Sequence, residues 1–130
     1  MATIRSKAML SAARGQHCIN CGARDDTVVA AHYTGLRAHQ YGKGTSHKPH
    51  DLLVADLCMK CHSSFDLHTQ PSLFKGLEKK IDLSEQFLHL IIKTLLRRID
   101  QGVITVKGVN NDRDEPYSTV REIPDEREGN

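Results

Sequence analysis

Residues 58–66 read Cys-Met-Lys-Cys-His-Ser-Ser-Phe-Asp, and residues 18–22 read Cys-Ile-Asn-Cys-Gly. The two C-x2-C pairs use all four cysteines of the chain. A C-x2-C turn sets two thiolates on one side of a metal, with zinc–sulfur bonds of about 2.3 Å, and two such turns complete a tetrahedron. Gly22 permits the sharp turn after the first pair. A zinc ion on Cys18, Cys21, Cys58 and Cys61 is therefore expected, and it is structural, because four thiolates leave no position open for water. Both pairs sit on turns, outside any thioredoxin-like βαβ unit, so a redox role weighs less. With 130 residues, no Trp and few aromatics, the core gains from such a staple.

Working outward, His62 directly follows Cys61, and Asp66 stands four residues further on. On the helix expected over Lys60–His68, that spacing places both side chains on one face, where they can share one metal. Upstream, Thr27–Tyr33 (TVVAAHY) is β-branched and apolar, and predicts a strand with His32 near its end. Leu52–Leu57 is a second apolar run, either a strand or an irregular extended segment. Between them, Thr34–Pro49 is a long Gly-rich loop carrying Arg37, Lys43 and Lys48. Glycines let backbone N–H groups approach phosphates and the cations neutralise them, so these three residues are candidate nucleic-acid contacts.

The flanks are plainer. Ser6–Arg14 predicts a short helix stopped by Gly15. Pro71 suits the first turn of a short helix through Lys79. Asp82 with Glu85 has the capping-box spacing and opens a second helix, with Leu88, Ile91, Ile92, Leu95 and Ile99 on its apolar face. Gly102 ends it, and Val103–Val106 is expected as a short closing strand. The expected class is α+β, with one domain over residues 1–107 and an acidic, flexible tail over 108–130.

The formal net charge of +2 conceals an asymmetry, since residues 1–107 hold 15 basic and nine acidic side chains and all eight histidines. A basic body suits a phosphate-rich partner. No apolar window is long enough for a membrane span, and the N-terminal residues lack the apolar stretch of a signal peptide. The cytoplasm is the expected compartment, where cysteines serve as metal ligands rather than disulfides.

The run C-x2-C, AAHY, a Gly/Lys-rich loop, PHDLL and C-x2-C-H-x3-D resembles the zinc-knuckle HNH (ββα-metal) endonucleases. More narrowly, His32–Leu36, Gly42–Thr45 with Lys48-Pro49 and Asp51-Leu52, and Cys58–Asp66 are similar to the small nucleases of lambdoid prophages. The resemblance spans about residues 8–107. It implies a small ββα-metal core and hydrolysis of DNA phosphodiester bonds with one divalent ion, Mg, Mn or another. It implies His32 as the general base, Asp51 as the residue orienting it, and His62 and Asp66 as ligands of the catalytic metal. The partners implied are DNA and, in a bacterial host, a phage or host recombination protein; a homodimer is a further expectation. The chain departs from the family at Ala31, where many members place a metal-binding side chain. Either the metal takes more water, or His32 is itself a ligand and another residue is the base. The competing expectation is a zinc-dependent nucleic-acid-binding module without catalysis, or a recombination accessory protein.

Overall fold

The computed structural model describes residues 3–44 and 47–108, and the expected tail lies outside these apart from Gly108. The order of elements is α1 (Lys7–Ser11), β1 (Val29–His32), one 3₁₀ turn (Ala38–Tyr41), β2 (Val54–Leu57), α2 (Met59–Asp66) and α3 (Gly76–Asp100). The class is α+β, built on a two-stranded antiparallel sheet. Val29 pairs with Leu57, Ala30 with Asp56, Ala31 with Ala55 and His32 with Val54. α1 packs against β1, while α2 and α3 pack against β2.

Ser6 starts α1 because its hydroxyl accepts the Met9 N–H at 3.2 Å, filling one of the donors that a helix N-terminus leaves open. The helix runs five residues, shorter than Ser6–Arg14, and turns carry the chain to Gly15 at φ +77°. Both strands are four residues long and sit inside the expected apolar runs. α2 begins one residue after Cys58, so the second cysteine pair and the first helical turn are one unit.

Residues 71–100 fold differently from the two expected helices. No helix starts at Pro71, and α3 is continuous for 25 residues from Gly76. Asp82 is not a cap; it is buried within α3 and accepts from Ser72 Oγ at 2.6 Å and Gln86 Nε2 at 2.8 Å. Its carboxylate ties the preceding loop to the helix. The buried face is also rotated. Leu83, Phe87, Leu90, Ile91 and Thr94 are covered, whereas Ile92 is 58% exposed. Val103–Val106 forms no strand; the Val103 and Ile104 N–H groups donate to Arg98 O, closing the helix end after Gly102 at φ +74°.

Phe65, Phe87 and Tyr33 form the aromatic centre of the core, with ring centroids 5.1 Å apart for Phe65–Phe87 and 5.6 Å for Tyr33–Phe87. The rotation of α3 follows from a charged contact beneath it. Asp56 is fully buried and accepts from Arg97 Nη1 at 3.0 Å and Arg98 Nη1 at 2.8 Å, while its own N–H donates to Thr94 Oγ1 at 3.2 Å. Arg97 also donates to His17 O at 2.9 Å and to His17 Nε2 at 2.8 Å, tying the helix to the approach of the first cysteine pair.

Candidate functional site

Two turns and a helix start bring the four cysteines together. The Gly22 N–H donates to Cys18 O at 2.9 Å and Gly22 takes φ +81°, which closes the first knuckle. The Ile19 N–H donates to Asp56 O at 2.8 Å, so that knuckle lies against β2, the strand leading into Cys58. The ligand atoms of Cys18, Cys21, Cys58 and Cys61 all lie within 4.8 Å of one another. The Cys21–Cys58 sulfur separation is 3.7 Å. A tetrahedron with metal–sulfur bonds of about 2.3 Å has edges of about 3.8 Å, so the donor set fits a structural metal such as zinc.

The electrostatics of Cys18, Cys58 and Cys61 agree with that fit. Burial disfavours a charge on Cys18, yet backbone N–H groups of Cys21, Cys58 and Asn20 outweigh it and bring the thiol down to about 7. Burial pushes the Cys58 and Cys61 thiols up. Cys18 thus ionises readily while burial makes Cys58 and Cys61 resist, and a cation among sulfurs this close would favour all of them as thiolates. The Asn20 side-chain amide donates to Cys61 Sγ at 3.4 Å, a contact that favours the thiolate.

His32, at the end of β1, places Nε2 2.8 Å from Asp51 Oδ1. Asp51 is buried, and its other oxygen accepts the Ser6 N–H at 2.7 Å. Arg5 adds a bond to Oδ1 at 3.0 Å and two more to Pro49 O and Lys48 O. Burial disfavours the charge on Asp51, but the bonds from His32, Ser6 and Arg5 outweigh it and hold the carboxyl below its ordinary value. An ionised carboxylate only accepts, so Nε2 of His32 donates to it, and the neutral tautomer compatible with this contact is the one whose lone pair is on Nδ1.

An open cleft of about 360 Å³ lies beside this pair. His32, His62 and Asp66 line it, with Lys43, His47 and Lys48. His62 Nε2 and Asp66 Oδ2 are 3.6 Å apart across one turn of α2. Among the described residues, only the cysteines gather three or more ligand atoms within reach of one ion. Asp51 stands behind His32 and does not line the cleft. Arg37 is exposed before the 3₁₀ turn and is not among the lining residues either.

The loop glycines serve the backbone. A Cβ on Gly35 would run into the Tyr33 ring and Ser84 Oγ, so its missing side chain makes room for the Tyr33–Ser84 hydrogen bond. Gly42, at φ +97°, closes the 3₁₀ turn. His50 is also structural, since its Nδ1 accepts the Ile4 N–H at 2.8 Å. The sequence reading missed Arg5 and Ser6, which complete the surroundings of Asp51 from about 45 residues away. No local pattern marks them. Compared with protein-family models, curated proteins and solved structures, the chain matches none.

Proposed function

We propose that this chain is a metal-dependent endonuclease that hydrolyses DNA phosphodiester bonds with His32 as general base. The observation that carries the reading is the ionised Asp51 behind His32, with His32, His62, Asp66 and two lysines opening on one cleft. By accepting from Nε2, Asp51 fixes the tautomer in which Nδ1 takes a proton from water, and it stabilises the imidazolium that follows. A neutral imidazole is an effective base near pH 7. Lys43 and Lys48 hold the phosphate backbone by charge. Arg5 and Ser6 keep Asp51 aimed while contributing nothing to the cleft itself.

The cysteine centre is read as zinc and the cleft as the seat of a second ion. His62 and Asp66 would hold that ion, whose remaining ligands come from water and phosphate oxygens, in the manner of Mg²⁺. When bound, it supplies polarisation of the phosphodiester and stabilisation of the leaving oxygen. The succession β1, β2, α2 with this pair on the helix supports a ββα-metal arrangement. Ala31, buried opposite Ala55, is a packing position and offers no ligand, which favours an ion with few protein ligands.

The test is His32→Ala. Zinc content and DNA binding should persist and the melt should stay cooperative, with a loss of about 1–3 kcal/mol for the broken Asp51 hydrogen bond, while Mg²⁺- or Mn²⁺-dependent cleavage falls by about 10²–10⁴-fold. Undiminished cleavage by that variant, purified free of contaminating nuclease, refutes the assignment. A binding module without catalysis, which also needs only the basic cleft and the knuckles, predicts that the unaltered protein retains DNA and cuts none.

A further inference from the structure

Besides the cleft, a second opening flanks His32. The second, of about 450 Å³, lies between α1 and β1. Val29, Ala30, His32 and Lys48 line both, so the two form one groove running past the imidazole. The floor of the second opening is apolar, with Leu10 of α1 facing Val29 and Ala30 of β1, and its rim carries Lys7, Arg14 and Lys48. All three cations are exposed. Their side chains make no ion pair or hydrogen bond with other described residues. Arg5 on the same segment differs, being committed to Asp51, Pro49 and Lys48.

A cationic rim unpaired among the described residues, over an apolar floor, complements a polyanion with apolar faces. We propose that the DNA strand under attack continues past His32 into this second opening, where Lys7 and Arg14 bind its phosphates. The inference rests on the endonuclease reading and deepens it by naming how the substrate is held. Among the described residues no Phe, Tyr or Trp lines the opening, so they offer no platform on which bases stack. The strand is gripped by phosphates and sugars, contacts that carry no sequence information. α1 is thus a second wall of the substrate groove as well as a cover for β1.

The experiment is binding of the full chain to short DNA duplexes over a range of salt, without added divalent ion, followed by anisotropy. Each phosphate contact contributes about one unit to the slope of log K against log salt, so Lys7→Ala/Arg14→Ala should flatten it by about two units. The decrement should be equal on duplexes of unrelated sequence. Both side chains are exposed, and the charge-retaining pair Lys7→Arg/Arg14→Lys should restore the slope. An unchanged slope in the alanine variant, beside an unaltered protein that binds and cuts DNA, overturns the groove and leaves the nuclease reading standing. Failure of the unaltered protein to bind DNA overturns both. A decrement that the charge-retaining pair does not repair assigns the loss to α1 packing and overturns the phosphate role.

Discussion

Asp51 and Asp56 stand five residues apart, both buried, and each accepts from two basic side chains. Asp56 is sealed: its partners Arg97 and Arg98 are themselves buried, and β2 and α3 enclose all three. Asp51 is sealed on one side only. One partner, Arg5, leaves 47% of its side chain in solvent, and the other, His32, borders an open cleft. An arginine keeps its charge at any ordinary pH, so the Asp56 cluster can only hold. Imidazole chemistry includes taking up and releasing a proton, and the proposed function assigns that use to the Asp51 pair. Burial of a carboxylate does not separate scaffold from site here; what its partner can do does.

The largest effect expected is at the cysteine cluster, where the segment carrying both aspartates ends. Segment 51–57 runs straight into Cys58, and bound structural zinc contributes about 10–16 kcal/mol to folding in small zinc domains. Cys58→Ser, or stripping the metal with a strong chelator, should abolish the cooperative melt seen by circular dichroism. A well-folded, metal-free Cys58→Ser protein would contradict the staple. Next, Asp56→Ala leaves two guanidinium groups buried without their carboxylate and should cost about 3–5 kcal/mol in urea unfolding. A loss below about 1 kcal/mol would mean that Asp56 is not the keystone under α3.

Asp51→Asn should sharpen the contrast by affecting chemistry more than fold. The amide can donate to Nε2 and so select the wrong tautomer, and cleavage should drop by about 10²–10⁴-fold. Stability should fall by about 1–3 kcal/mol, the cost of disturbing a buried hydrogen-bonded group. The pH dependence follows from the lowered pKa of Asp51. Its ionised pairing stabilises the fold fully above the ordinary value of 3.8, and that contribution is lost as pH falls through the depressed one. Acid titration of the unaltered protein should therefore show a component that Asp51→Asn lacks. The smallest effect is on α3: Ile92→Ala should change stability by no more than about 0.5 kcal/mol, and Ile91→Ala by about 2–5 kcal/mol. Equal losses would return the buried stripe to the face read from spacing alone.

What could be read in advance was what short spacing determines. The knuckle turns, α2 with His62 and Asp66 on one face, and the segments of β1 and β2 all follow from residues within one or two turns of each other. What could not be read depends on distant partners. Asp56 is one polar residue in an apolar run until Arg97 and Arg98 arrive from 41 and 42 residues away. The same contact rotates α3, so Ile92 lies outside the core despite its place in a regular apolar repeat. Asp82 carries a true capping signal in sequence, but Ser72 claims its carboxylate instead. At the candidate site, the cleft residues were nameable individually, whereas the Arg5–Ser6 support of Asp51 was invisible.

The Asp51 clamp also bears on the order in which the site comes into being. His62 and Asp66 are separated by one helical turn, and a helix winds within about a microsecond. His32 and Asp51 are 19 residues apart, and Arg5 reaches Asp51 across 46. Contacts closed over such spans cost loop entropy and form late. On refolding from denaturant, His62 and Asp66 are therefore expected to come together before His32, Asp51 and residues 4–6 close on one another, an order that amide-exchange labelling during refolding checks.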